Sequence, residues 1–379
     1  MSRPQTAAAV PRTVDAYRVT GTSPGASAGA IAIAQPPRAI PVPLDRPVSR
    51  RTRDAVHVLG AGAVGCALLQ RFRRDRRRVI AVTDSTATLH DASGIDIDTV
   101  LDWKRAGRSL SDHPHALTIS GPAAIERVDA DIIADASSTD LERSGWTNAL
   151  TAALARGACV AAAAKAALCD AGAEWLTGDY LAQVGCNAVL GGTGRSFIAE
   201  LPDLRQRTQT LAIVGNASTT TILEVIEQGG TLDQGLAEAQ RAGYLEPDPA
   251  LDLCGADAAV KLAIVAGIVT GRRIDPRTIP CDDLRLLDPL LIRARVRRNA
   301  TTRLVGRMGD AGRLRVSYEE ISRDSILAAP RGRVIYEYRL ARDERRLHIG
   351  TGLGADATAG ALWTDIRALA GAAQTAVSR

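Results

Sequence analysis

Residues 55–72 read AVHVLGAGAVGCALLQRF, and this stretch decides the fold. A short apolar strand runs into Gly60-x-Gly62-x-x-Gly65, and an apolar helix follows. The first glycine makes the turn and the second lets backbone approach a pyrophosphate. The third lets the helix pack closely on its strand. A helix that starts here offers unsatisfied N–H groups and a positive dipole end to phosphate. Gly60, Gly62, Ala63, Val64 and Gly65 are therefore assigned to the phosphates of a dinucleotide. A second strand, VIAVTD, ends at Asp84, nineteen residues past Gly65. A carboxylate at that place can hold the adenosine ribose diol and repel a 2′-phosphate, and no Arg follows at 85–87. The reading favours NAD over NADP, with a turn-capping role for Asp84 as its alternative.

The same rhythm continues downstream. DIIADASST (131–139) is a strand ending in small hydroxyl residues, of which Ser138 is placed against the nicotinamide ribose. A helix at about 144–156 precedes CVAAAAKAAL (159–168), with Lys165 just beyond the carboxyl end of its strand. Strands at this spacing, with helices between them, predict an α/β fold. Its first part is a Rossmann-type doubly wound parallel sheet, which binds ligands at the carboxyl ends of its strands. Alternating runs such as RLRVSYEEI (313–321) and RVIYEYRLA (333–341) read as strands of a second, α+β domain.

Residues 246–261, EPDPALDLCGADAAVK, carry the densest chemistry. Glu246, Asp252 and Asp257 surround a Pro-Asp-Pro turn that leads into an apolar helix. Asp257 and Lys261 are four apart and share a helix face. Of 47 basic residues only Lys104, Lys165 and Lys261 are lysines. A chain that writes nearly every cation as Arg, yet keeps Lys here, points to a compact ammonium able to release a proton. A solvated surface pair is the bland alternative. The apolar neighbours Ala258, Ala259, Leu262, Ala263, Ile264 and Val265 count against it, because a buried charge without a role is costly.

Composition narrows the class. The 379 residues are enough for two or three domains. No apolar run reaches the length of a membrane span and no signal-peptide core opens the chain, so a cytoplasmic protein without membrane contact is expected. Six scattered Cys without a C-x-x-C pair, and five dispersed His, signal neither a disulfide framework nor a metal site. Residues 1–53 hold eight Arg and two Asp in an Ala/Pro/Ser/Gly-rich stretch, read as a disordered leader. That leader carries a net charge of +6 against +5 for the whole chain, leaving a body near −1. With aromatics at 3%, a nucleic-acid partner is excluded.

In this order the pieces resemble the homoserine dehydrogenase family over roughly residues 55–370. GIDIDTVLDWKRAGRSL (94–110), ARGACVAAAAKAAL (155–168), AVLGGTGRSF (188–197), GYLEPDPALDLCGADAAVKLAIVA (243–266) and GTGLGADATAGALWTDI (350–366) carry the resemblance. The fourth segment is nearly the whole family signature. The resemblance implies a short, monofunctional dehydrogenase of L-homoserine and L-aspartate 4-semialdehyde in threonine and methionine synthesis. It also implies NAD or NADP as cofactor and a homodimer. Lys261 would be the proton donor, Asp252 would lie close to the reacting oxygen, and Lys165 would lie between substrate carboxylate and nicotinamide. Glu246 and Asp257 would hold the substrate. Gly243, Gly352 and Gly354 would present backbone to the cofactor. The implied domains are a leader (1–53), a dinucleotide domain (54–185) completed by 350–379, and a catalytic and dimerisation domain (186–349).

The departures from the family pattern are specific. Asn216-Ala217-Ser218-Thr219-Thr220 stands where N-G-T-[ST]-N is usual, and an Ala in place of Gly there is expected to strain the loop. Asn187 replaces a carboxylate, which weakens any monovalent-cation site at Asn187, Leu190, Gly192 and Gly194. Arg195 adds a cation near the substrate mouth. These motivate two alternatives, a paralogue acting on a related semialdehyde and a catalytically silent nucleotide-binding regulator. Lys104, beside Arg105 on an amphipathic helix, reads as an idle surface residue.

Overall fold

The computed structural model describes residues 53–377, except 76, 139, 142–144, 246–248 and 352–353. Glu246, Gly352 and the leader, save its last residue, lie outside the described residues. The first sheet is built from β1 (Ala55–Leu59), α1 (Ala63–Phe72), β2 (Arg78–Thr83), β3 (Thr88–His90), α2 (Ile97–Arg105), α3 (Gly121–Arg127), β4 (Ile132–Asp135), α4 (Trp146–Ala155), β5 (Cys159–Ala162), α5 (Ala166–Trp175) and β6 (Val184–Gly185). Its order is β3-β2-β1-β4-β5-β6. β4 and β5 are buried at every position, as expected of central strands covered on both faces. The expectation of a parallel sheet holds except at one edge, where β3 runs antiparallel to β2. Only residues 84–87 separate these two strands, too few for a crossover connection.

The chain then forms α6 (Gly194–Arg207), β7 (Thr208–Val214), α7 (Ala217–Glu227), α8 (Leu232–Arg241), α9 (Ala250–Leu253), α10 (Ala256–Thr270), α11 (Pro289–Arg297), β8 (Ala300–Met308), β9 (Leu314–Ser322), β10 (Arg333–Leu340), β11 (Arg345–Thr351) and α12 (Gly354–Val377). The second sheet has the order β11-β10-β7-β8-β9 and is antiparallel throughout. Helices α6, α7, α10 and α11 pack on it. Helix α10 buries ten residues and is apolar nearly all round, which suits a helix enclosed by other elements. It packs against α5 of the first sheet as well as against β7, β8 and β9. Each fully buried Leu, Ile or Val contributes about 1.5–3 kcal/mol, so the burial of α10 ties the two sheets together.

Helix α12 returns the chain to the first sheet. Ala359, Leu362, Ile366 and Leu369 recur at helical spacing and join Val56, Val58 and Leu68 in one apolar cluster. Among them sits Asp365, only 3% exposed. Its carboxylate accepts the Asn187 N–H at 2.7 Å. A Cβ on Gly185 would lie 2.6 Å from the Asp365 Cγ, so β6 must present glycine to it. Burial pushes the Asp365 carboxyl up to about 7, against the pull of the Asn187 N–H and the Arg195 charge. A carboxyl raised in the folded state adds stability that is complete below about pH 4 and is lost as pH rises through about 7. Asp365→Asn removes that loss. Its melting midpoint relative to the parent protein is expected to rise between pH 5 and 7 by roughly 2–4 °C per pH unit, read by calorimetry. A midpoint difference that stays flat across this range would contradict it.

Candidate active site

Three charged side chains from two elements meet where the sheets adjoin. Lys165 immediately precedes α5, beyond the end of β5. Asp257 lies in the first turn of α10 and Lys261 one turn later. Lys165 Nζ is 3.0 Å from Asp257 Oδ1, and Lys261 Nζ is 2.8 Å from Asp257 Oδ2. One carboxylate thus holds two ammonium groups, one on each oxygen. Burial works against the Asp257 charge, but the two lysines overcome it and hold the carboxyl well below the usual range. All three side chains remain 17–25% exposed, so a small molecule can reach them.

Asp252, on α9, faces the same cluster. Burial pushes its carboxyl up and the Asp257 charge adds to the shift, while hydrogen bonds from Asn216 and Ser218 and the Lys261 charge pull it back. Two carboxyls a few residues apart are driven in opposite directions by their surroundings. That divergence is the arrangement acid–base chemistry uses. The structure brings Lys165, Lys261, Asp257 and Asp252 together.

Sequence reading singles out the turn between β7 and α7 for Ala217 but misses its contacts with the charged cluster. The Gly215 carbonyl accepts from Lys261 Nζ at 3.2 Å, and Asn216 Nδ2 donates to Asp252 Oδ1 at 3.0 Å. The expectation of strain at Ala217 is incorrect. Ala217 is the first residue of α7, and its φ is not among the positive values. An L-residue is at ease there, and Asn216 caps the helix through its side chain. An Asn at a strand-to-helix turn, followed by Ser and Thr, is the one local signal for this cap.

The nucleotide loop fits a dinucleotide. Gly60 has φ +92°, and a Cβ there would meet the Ala136 carbonyl oxygen at 2.4 Å. A Cβ on Gly65 would fall 1.8 Å from the Gly60 oxygen, which is the close helix packing expected of the third glycine. Gly62 has open space on its Cβ side, and α1 starts there without a side-chain cap. Ala63 and Val64 form the first turn of α1, where N–H groups are available to phosphate. Gly243 and Gly354 also have open Cβ sides, and Ser138 is exposed beyond β4.

Asp84 is more engaged than a ribose ligand needs to be. Its Oδ1 accepts from the Thr86 N–H at 2.9 Å, the Thr86 hydroxyl at 2.7 Å and the Ala87 N–H at 3.1 Å. Its Oδ2 accepts from the Leu110 N–H and from Lys104 Nζ, both at 2.9 Å. Despite burial, these bonds hold its carboxyl far below the usual range. Lys104 is therefore no idle surface residue. It is half of a pair in which the side chains are 19% and 10% exposed.

The loop considered for a monovalent cation turns its oxygens to its own donors. Asn187 Oδ1 accepts from the Arg195 N–H and the Asn187 carbonyl from the Gly192 N–H. The Leu190 carbonyl accepts from the Thr193 N–H and hydroxyl. Among the described residues no cluster of His, Cys, Asp and Glu could hold a metal ion.

The chain is similar in sequence and fold to known dehydrogenases. Residues 200–366 match the family model described as homoserine dehydrogenase, and residues 47–144 match that of glutamate/leucine/phenylalanine/valine dehydrogenase. A homoserine dehydrogenase of Synechocystis is 30% identical over 171 residues, which span 42% of this chain but 39% of that protein. An NAD(+)-dependent homoserine dehydrogenase of Pseudomonas canavaninivorans is 29% identical over 276 residues, covering 67% of this chain and 77% of the relative. The crystal structure of a putative homoserine dehydrogenase from Archaeoglobus fulgidus superposes with TM-score 0.69 at 22% identity, over 82% of this chain and 98% of that one.

The Asp84–Lys104 pair sharpens the expectation for nucleotide preference. Asp84→Ser with Thr86→Arg keeps a short acceptor in the turn, removes a carboxylate and leaves two cations at the ribose end. The ratio of dissociation constants for NAD and NADP should move towards NADP by about tenfold or more, measured by calorimetric titration. An unchanged ratio would leave Asp84 as a turn residue only.

Proposed function

We propose that the chain is a member of the homoserine dehydrogenase family and interconverts L-homoserine and L-aspartate 4-semialdehyde with NAD or NADP. The observation that carries this reading is Asp257 shared between Lys165 and Lys261 at the mouth of the nucleotide sheet. Bound NAD(P) supplies the hydride chemistry at the carbon that alternates between alcohol and aldehyde. Gly60, Gly62 and Gly65 would hold its pyrophosphate, with Ser138, Gly243 and Gly354 along its length. The NAD(+)-dependence of the Pseudomonas relative supports NAD as the preferred partner.

The chain's own residues account for the proton and the charges. Lys261 gives a proton to the aldehyde oxygen on reduction and receives the alcohol's proton on oxidation. Charge that builds on that oxygen is stabilised by a nearby ammonium. Lys165, across Asp257, is placed to take the substrate carboxylate. Asp257 keeps both ammonium groups in position without neutralising them, since the three side chains together carry a net positive charge. Asp252 lies towards the reacting oxygen, and Glu246 is assigned to the substrate's amino group. The motive for a paralogue weakens because Ala217 sits unstrained in α7. L-Homoserine given to the purified protein with NAD or NADP, beside a panel of other hydroxy amino acids, tests the reading by reduced-nicotinamide absorbance. No signal with L-homoserine would overturn it.

The protein is further read as a homodimer of the cytoplasm. All six cysteines are unpaired, which suits a reducing compartment. Among the described residues no helix is long and apolar enough to cross a membrane. On the edge strand β11, Leu347 is 40% and Ile349 46% exposed, and an apolar edge of this kind favours a second copy as its cover.

Two outcomes follow. Lys261→Ala and Lys165→Ala should each lower kcat by about two decades or more while melting cooperatively. Turnover close to that of the parent protein in Lys261→Ala would remove it from the mechanism. Leu347→Glu with Ile349→Glu should convert a dimer into a monomer in light scattering, whereas an unchanged mass would place the interface elsewhere.

A further inference from the structure

The turn joining β7 to α7 touches both ends of the proposed acid–base apparatus through consecutive residues. The Gly215 carbonyl accepts from Lys261 Nζ, and the Asn216 side chain donates to Asp252. The amide of Asn216 has no freedom to turn over. Its Oδ1 accepts from the Ser218 hydroxyl at 2.5 Å, the Thr219 N–H at 3.0 Å and the Thr219 hydroxyl at 3.1 Å. With the Thr219 N–H donated to the oxygen, the Nδ2 group must face Asp252. The side chain is 7% exposed, so water competes little for that bond.

The backbone is equally constrained. A Cβ on Gly215 would lie 2.8 Å from Val334 Cγ1 and 3.0 Å from Val334 Cα. Gly215, whose carbonyl receives Lys261, is therefore packed against β10 with no room for a side chain. The Asn216 carbonyl accepts from the Thr220 N–H and hydroxyl as α7 begins, fixing the other side of the residue.

We propose that Asn216 is a positioning residue that, with the Gly215 carbonyl, sets the orientation and ionisation of Asp252 in register with Lys261. The inference deepens the proposed reaction and rests on it only for its kinetic readout. Asn216 acts through Asp252, donating to one carboxylate oxygen and so favouring the charged form against burial. Losing that donor should leave Asp252 protonated to higher pH.

Asn216→Asp separates this role from helix capping. Asp caps a helix about as well as Asn, so α7 keeps its N-terminus. The Asn216 donor to Asp252 is lost, leaving Ser218 beside that carboxylate, and a like charge takes the place of the amide. Selective 13C-carboxyl labelling of Asp, with the Asp252 signal identified from its loss in Asp252→Asn, reads the titration without any substrate. The Asp252 signal should titrate about one unit or more higher in Asn216→Asp. With L-homoserine, the acidic limb of kcat/KM should shift upwards together with a fall in kcat of about tenfold. Asn216→Ser is the second variant, because a serine caps the helix but is too short to reach Asp252. It should shift the titration in the same direction by less. An Asp252 titration unchanged in both folded variants would overturn the proposal. Failure of the parent protein to oxidise L-homoserine would overturn the proposed function, and the carboxyl titration alone would then decide the role of Asn216.

Discussion

One carboxylate holds this molecule's chemistry in place. Asp257 spends each oxygen on a different lysine, and the two lysines come from different halves of the fold. Lys165 arrives on the loop leaving β5, and Lys261 on the helix that leans against the second sheet. Two ammonium groups brought together without a counter-charge would repel by several kcal/mol at an effective dielectric near 20. Removing one partner from such a partly buried set typically costs about 3–5 kcal/mol, because the remaining charge stays uncompensated. The approach of α5 to α10 is therefore an electrostatic requirement as well as an apolar one.

Packing makes that approach reliable. α10 buries Ala259, Leu262, Ala263, Ile264, Val265 and Ile268, so its rotation and depth are fixed by several side chains at once. Its charged residues are confined to the N-terminal turns, where the helix dipole favours a carboxylate such as Asp257. Gly172 on α5 shows how close the contact is. A Cβ there would meet Ile268 Cδ1 at 3.4 Å. The charges can stay partly solvent-exposed at one end because the apolar body supplies the stability.

Much of this is legible because it is written in local sequence. The strand–glycine–helix order at 55–72 and the four-residue spacing of Asp257 and Lys261 need no tertiary information. Central strands β4 and β5 are readable from their continuous apolar runs. What cannot be read depends on segments far apart in the chain. Asn216 and Asp252 are separated by 36 residues, and Asn187 and Asp365 by 178. β3 stays hidden because three residues at a sheet edge carry too little periodicity to reveal a strand or its direction. Ala217 misleads for another reason. A glycine in a family pattern suggests a requirement of backbone angle, whereas the position begins an ordinary helix.

The scarcity of lysine has a wider meaning than the active site alone suggests. All three lysines of the chain are paired with a carboxylate, Lys104 with Asp84 and the other two with Asp257. A compact ammonium explains why none is Arg. Two planar guanidinium forks would each seek both oxygens of Asp257, and one carboxylate cannot satisfy two bidentate partners. Lys104 likewise meets Asp84 on a single oxygen that already takes the Leu110 N–H, leaving no second oxygen for a fork to use. In a chain that uses Arg almost everywhere else, lysine stands where a carboxylate has just one position left to offer.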